Sequence, residues 1–200
     1  MNENEKHLLE SAKKGDIEAF EKLIETHEKK VFNIALRMMG NSEDAKDMAQ
    51  ETFIRVYRSL GDFKEQSSLS TWIYRITTNI CLDELRKRKN KKVLYIDDNI
   101  KSDDGEIKRD IVSDDLTPEE KVERDEIKRM LNSAINDLSD EHRTVIILRD
   151  IQGFSYKEIS DITNCPEGTV KSRICRARQA LKEILVSKRE LFKDRYVKEL

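Results

Sequence analysis

Between Ser155 and Leu185 the chain reads SYKEISDITNCPEGTVKSRICRARQALKEIL, a run dense in side chains that can read a nucleic acid. Val170, Ile174, Ala177 and Leu181 recur at steps of four, three and four, one apolar face at helical period. Lys171, Ser172, Arg173, Arg176, Arg178 and Gln179 fill the opposite faces. An apolar stripe that seats a helix, opposed by long hydrogen-bond donors, is what a recognition helix in a major groove requires. The element that must position those donors lies just upstream. Ser155 with Glu158 three residues on is a capping box, so a helix starts at Tyr156, with Ile159 and Ile162 as its narrow stripe. Asn164-Cys165-Pro166 breaks it, because proline disfavours helical geometry in the residue before it, and a second helix starts near Glu167. The basic helix alone reads equally well as a solvated face. Helix, tight turn and basic helix together have helix-turn-helix spacing.

Other chemistries leave no trace. Three cysteines (Cys81, Cys165, Cys175) form no CxxC pair, and three histidines (His7, His27, His142) are scattered. Neither metal-ligand spacing nor a disulfide framework emerges. No paired-carboxylate motif and no Gly-rich phosphate loop are present, so no catalytic residue, metal or cofactor is expected and the chain does not read as an enzyme. The start, MNENEKHLLE, lacks an apolar core, and no apolar run approaches the roughly 18 residues that span a membrane. A cytoplasmic, reduced protein without membrane insertion is expected.

With 39% charged residues, 6 Gly and 2 Pro in 200, the composition favours helices with exposed faces. The formal net charge of -2 hides a segregation. Arg86, Lys87, Arg88, Lys89, Lys91 and Lys92 form one basic cluster and the last helix another, while Asp97 to Glu126 is acidic. Such segregation bears on nucleic-acid binding more than the sum does.

In chain order, Gly15-Asp16 separates a short polar helix from a longer one carrying Ala19, Phe20, Leu23, Ile24, Val31, Ile34, Ala35 and Met38. Gly40-Asn41 ends it. Ser42 is the expected cap of the next helix, with Ala45, Met48, Ala49, Phe53, Val56, Tyr57 and Leu60 inward and Asp47, Gln50, Glu51 and Arg55 outward. A loop from Gly61 to Ser68 precedes a helix from about Ser70 to Arg88. There Leu69, Trp72, Ile73, Ile76 and Ile80 can face a core, and Arg75, Thr78, Asn79 and Arg86 can share a polar side suited to a nucleic-acid backbone. Phe63, Trp72 and Tyr74 could stack single-stranded bases, although each taken singly fits a core equally well. From Val93 to about Glu126 apolar periodicity fails, which reads as a linker. Thr117-Pro118 restarts helix, Leu131, Ala134, Ile135 and Leu138 lead to the cap Ser139, and a helix from Asp140 to Ile151 ends at Gly153.

Three blocks in this order, NSEDAKDMAQETFIRVY, SSLSTWIYRITTNICLDELRKRK and LSDEHRTVIILRDIQGFSYKEISDITNCPEGTVKSRICRARQALKE, resemble a bacterial sigma factor. The short chain, with two domains and a linker, is similar to the extracytoplasmic-function (ECF) group, and the likeness runs from about Lys13 to Leu185. It implies an all-α fold: a sigma-2-like domain over 1–92, an acidic flexible linker over 93–126, a sigma-4-like helix-turn-helix domain over 127–190 and a tail over 191–200. It further implies that Asp47, Gln50, Glu51 and Arg55 bind the β′ clamp helices of core RNA polymerase, a face that in sequence looks the same as a solvated one. Phe63, Ser67, Thr71, Trp72, Arg75, Asn79 and Arg86 would contact the minus-ten element, where the family holds a flipped base of the non-template strand. That flip costs a few kcal/mol, which stacking and edge hydrogen bonds must offset. The helix-turn-helix would read the minus-thirty-five element with Lys171, Ser172 and Arg176 on base edges. Arg173, Arg178 and Lys157 would lie on phosphates, with Thr169 in the same interface. The implied partners are core polymerase at its clamp helices and β flap, promoter DNA in double- and single-stranded form, and an anti-sigma protein. No middle domain separates the halves, so the acidic linker would run through the polymerase near the RNA exit path. The alternatives are a helix-turn-helix regulator that binds DNA without polymerase, which leaves the Asp47–Arg55 face unexplained, and a nucleic-acid enzyme, for which no motif is found.

Overall fold

A computed structural model describes residues 3–94 and 118–197, with side chains over 3–90 and 124–188. The acidic run from Asp97 to Asp115 lies outside the described residues. Eight α-helices and no strand occur among those described. The N-terminal half holds α1 (Glu3–Lys13), α2 (Ile17–Met39), α3 (Ser42–Ser59) and α4 (Leu69–Leu94). The C-terminal half holds α5 (Pro118–Asn136), α6 (Asp140–Ile146), α7 (Tyr156–Thr163) and α8 (Glu167–Val197). Helix therefore reaches into both ends of the segment read as linker.

Local chemistry sets most of these boundaries. Asp16 caps α2 by accepting from the Ala19 N–H at 3.1 Å. Gly40 ends α2 at φ +84°, with its N–H donating to the Leu36 carbonyl. The cap of α3 is Asn41 rather than the expected Ser42. The αL turn at Gly40 leaves Asn41 extended, so its side-chain oxygen accepts from the Asp44 N–H at 2.8 Å and Ser42 becomes the first helical residue. Helix α4 starts one residue early, at Leu69, where the Ser68 hydroxyl accepts from the Thr71 N–H. It continues six residues beyond Arg88. Ser139 caps α6 and the Ser155/Glu158 capping box opens α7, both as expected. The expected helix over 140–151 changes pitch at Ile147, and one π turn (Ile147–Ile151) brings the chain to Gly153 at φ +77°.

The apolar stripes meet in one contiguous core. Val31, Ile34, Val56 and Ile73 of the N-terminal half and Ile146, Ile159, Ile162 and Ile174 of the C-terminal half are all buried in it. Two residues make the join. Phe154 is 5% exposed, its ring 5.4 Å from that of Tyr74 on α4 and 4.3 Å from the Lys30 ammonium on α2. Covering a side chain of that size is worth about 1.5–3 kcal/mol. Arg143 is buried too. Its guanidinium donates to the Met38 carbonyl at 3.1 Å across the seam, and to the carbonyls of Asn136 and Leu138 in its own half. Gly40 belongs to the same seam. A Cβ there would lie 3.1 Å from Asn136 Nδ2, so glycine answers both the positive φ and the close approach of α5.

Behind this seam His27 is buried, sharing a 3.2 Å hydrogen bond with the Tyr74 hydroxyl through Nδ1, while Nε2 has no partner. Burial, with a smaller push from Lys30 and an opposing pull from Glu5, holds its pKa below 6.5. Burial also raises the Tyr74 phenol to about 12. The unfolded chain therefore binds a proton that folded His27 refuses. Stability is expected to be greatest above pH 6.5 and to fall as the pH drops below it. Urea midpoints at pH 7.5 and 5.5 check this: the decline should shrink in a His27→Gln variant, and an equal decline in both proteins would place the titrating group elsewhere.

Candidate nucleic-acid and polymerase interfaces

The helix-turn-helix is seated by buried Ile159, Ile162, Val170, Ile174 and Ala177. Asn164, in the αL conformation at φ 52°, turns the chain from α7 into α8. This leaves Lys171, Ser172, Arg176 and Lys157 exposed and Thr169 half-buried. Ser172 donates to the Thr169 carbonyl, and Arg176 Nε lies 3.3 Å from the Ser172 carbonyl, so both stay along the helix surface. Arg173 and Arg178 are held differently. Arg173 is half-buried and paired with Glu141 at 3.0 Å, and Arg178 grips Asp150 of the π turn through Nε at 3.1 Å. Asp150 raises the already high pKa of Arg178 further. These two cations anchor α8, whereas Lys171, Ser172 and Arg176 face outward. Cys175 is exposed beside them.

The loop between α3 and α4 and the first turns of α4 carry the expected minus-ten residues. Phe63 is buried, its ring 4.9 Å from that of Trp72, so the pair braces the loop from inside. Thr71 is buried and hydrogen-bonded to the Ser68 hydroxyl at 2.7 Å. Ser67, Trp72 and Arg75 are half-buried, and Asn79 and Arg86 are exposed. Thr78, expected on the polar side, is fully buried with its hydroxyl unpartnered. It lies one turn from Tyr74, on the face covered by the C-terminal half. The basic cluster that follows is partly spent inside the protein. Arg88 makes a bidentate pair with Asp44, which holds the carboxyl below its ordinary range, and also meets Glu84 at 2.9 Å. Lys89 pairs with Asp140 of the other half at 2.8 Å, and Arg86 with Asp83 at 3.1 Å.

On α3 the expected outward face is outward. Asp47, Gln50 and Arg55 are exposed, and Glu51 pairs with Arg55 at 2.7 Å, while Ala45, Thr52 and Val56 are buried beneath. Ile54 and Tyr57 are also left exposed there, which gives the charged face an apolar margin. A fourth surface escaped the sequence reading. Leu131, expected to point inward, is exposed, as are Ile127 and Val186. An open groove of about 390 Å³ between α5 and α8 is lined by Met130, Leu181, Leu185 and Val186, with Arg178 and Lys182 at its edge.

Arg143 and Phe154 were likewise missed. No periodicity marks an arginine that serves backbone carbonyls of a distant helix, or a phenylalanine just after a glycine. Tyr156 was read only as a helix start. Its ring lies 4.8 Å from the Arg149 guanidinium and 5.8 Å from the Lys171 ammonium, which ties the base of the recognition helix to the π turn.

Comparison with known proteins places both halves. Residues 23–91 match the Sigma-70 region 2 family and residues 128–181 match Sigma-70, region 4. The chain is 39% identical to the ECF RNA polymerase sigma factor SigW of Bacillus subtilis over 90% of its length and 96% of that protein. It is 35% identical to the RNA polymerase sigma-H factor of Pseudomonas aeruginosa, over 92% of its length and 94% of that protein. Its fold is similar to the sigma factor RpoE solved in complex with the anti-sigma factor NepR from Bartonella quintana. The TM-score is 0.63 and the identity 25%, with 83% of this chain and 96% of that one covered. Region 2, region 4 and whole-length identity agree with the outward faces of α3 and α8: the chain belongs to the ECF sigma factors, which direct RNA polymerase to promoters to initiate transcription.

Proposed function

We propose that the protein works in the cytoplasm as a non-catalytic initiation factor, with each half a separate functional domain and each surface described above given one task. The exposed set Asp47, Gln50, Glu51 and Arg55, with Ile54 and Tyr57 at its margin, binds the β′ clamp helices. The α5/α8 groove takes an apolar segment of the β flap. Ser67, Trp72, Arg75, Asn79 and Arg86 serve the minus-ten strand, with Phe63 and Thr71 shaping the loop from within. Lys171, Ser172 and Arg176 read the minus-thirty-five duplex, helped by Lys157 and Thr169. Arg173 and Arg178 act first as anchors of α8 and reach phosphate only by exchanging a carboxylate for it. The observation that carries this reading is the outward group Lys171, Ser172 and Arg176 on a helix otherwise anchored by buried apolar residues and two ion pairs. An anti-sigma partner is proposed as well, since the RpoE neighbour was solved with one.

Run-off transcription with core polymerase on sheared genomic DNA tests the assignment. Discrete transcripts should depend on the protein and disappear when Asp47 and Glu51 are both changed to lysine. Transcripts unaffected by that reversal would move the clamp interface elsewhere, and DNA binding without transcripts or core association would favour a polymerase-independent regulator. If an anti-sigma partner exists, the protein in fresh lysate should capture less core than the purified protein, and equal capture would argue against one.

The second prediction concerns Arg176. A guanidinium on a guanine edge contributes about 1–3 kcal/mol of discrimination. Arg176→Ala should therefore relax selectivity at one base pair of the minus-thirty-five element by about 5- to 150-fold, measured by binding to a panel of single-substitution duplexes. Uniform weakening across the panel, with a shallower salt dependence, would reassign Arg176 to phosphate.

A further inference from the structure

The seam between the halves bears on when the two readers can be used, granted the proposed reading of two promoter elements. Helix α7 packs directly on α4, and α8 packs on α7. Packed helices lie 8–10 Å apart, so the minus-ten and minus-thirty-five readers sit within about 20 Å of each other. Elements named for positions ten and thirty-five are about 25 base pairs apart, or about 85 Å along B-DNA. The closed arrangement cannot serve both. Opening is geometrically allowed, because the 23 residues between Leu94 and Pro118 can span about 75–80 Å when extended.

The join itself is specific. The Arg143 guanidinium reaches the Met38 carbonyl, and Phe154 is buried against Tyr74 and Lys30. At the edges of the same seam Arg37 donates to Asn132 and Lys89 pairs with Asp140. The chain's own side chains fill this seam, with no partner inserted. We infer that the protein holds itself closed through this seam, keeping its two DNA readers too close together to engage a promoter until core polymerase separates the halves. A partner that restrains the protein then has only to stabilise a closure already built in, from outside the seam.

Two variants outside the proposed DNA and clamp surfaces test this. Phe154→Ala removes the buried ring, and Asn132→Arg sets a second guanidinium against Arg37 on an exposed helix face. Small-angle scattering should show an increased radius of gyration for both relative to wild type, with unchanged helical circular dichroism. Core polymerase, titrated with fluorescently labelled protein, should bind both more tightly, by roughly tenfold if the open fraction rises tenfold. Variants that stay compact would overturn the inference, and so would expanded variants that bind core with wild-type affinity. Should Phe154→Ala lose helix content, Asn132→Arg decides alone. Failure of wild type and both variants alike to bind core would overturn the polymerase reading, and the inhibitory seam with it.

Discussion

A single guanidinium fixes how the halves of this protein meet. Arg143 is charged, buried and without a carboxylate in hydrogen-bond contact, yet it is not stranded. Its donors reach the carbonyl of Met38 at the end of α2, and those of Asn136 and Leu138 at and just past the end of α5. Helix C-termini carry unpaired carbonyls and partial negative charge, which a planar fork of donors can serve in several directions at once. Burial lowers the arginine's proton affinity, while the neighbouring charges of Asp140 and Asp137 work the other way. Removing the fork would leave carbonyls of two helices buried and unpaired, at about 1–3 kcal/mol each. Gly40 is the matching concession in the backbone, since only a residue without Cβ lets Asn136 approach so closely.

The readers hang on this arrangement. Helix α4 is at once a core helix, through Leu69, Ile73 and Ile80, and the scaffold of the minus-ten surface, through Arg75 and Asn79. Its Tyr74/Thr78 face is covered by the C-terminal half. Several cations that sequence assigns to DNA are already paired: Arg88 with Asp44, Arg173 with Glu141 and Arg178 with Asp150. Exposed ion pairs of this kind contribute only about 0–1 kcal/mol, so exchanging carboxylate for phosphate is cheap. The same cations can therefore orient helices in the free protein and still contact a nucleic-acid backbone in a complex.

Much of this was legible because local chemistry decides it. The Ser155/Glu158 capping box, the Ser139 cap, the glycine stop at Gly40 and the stripes of α2, α3 and α8 all express interactions within a few residues, and each stands where the sequence puts it. The outward Asp47–Arg55 face followed for the same reason. Misreadings arose where long-range packing overrules local pattern. Ser42 lost its cap role to Asn41, Thr78 turned inward under the C-terminal half, and Leu131 was left exposed beside the α5/α8 groove. Arg143, Phe154 and Lys89 touch residues of the other half 51 to 105 positions away or lie against rings brought there by the fold, and periodicity carries no record of such partners.

The central claim is that the free protein is one cooperative body joined at the Arg143 seam. Native-state hydrogen exchange followed against denaturant tests it most directly. Amides at the end of α2, around Leu36 and Gly40, should merge with those of α6 and α7 into a single opening reaction of one free energy. Exchange of α6 and α7 through a separate, lower-energy opening that leaves α2 protected would contradict it, because the C-terminal half would then fold and unfold on its own.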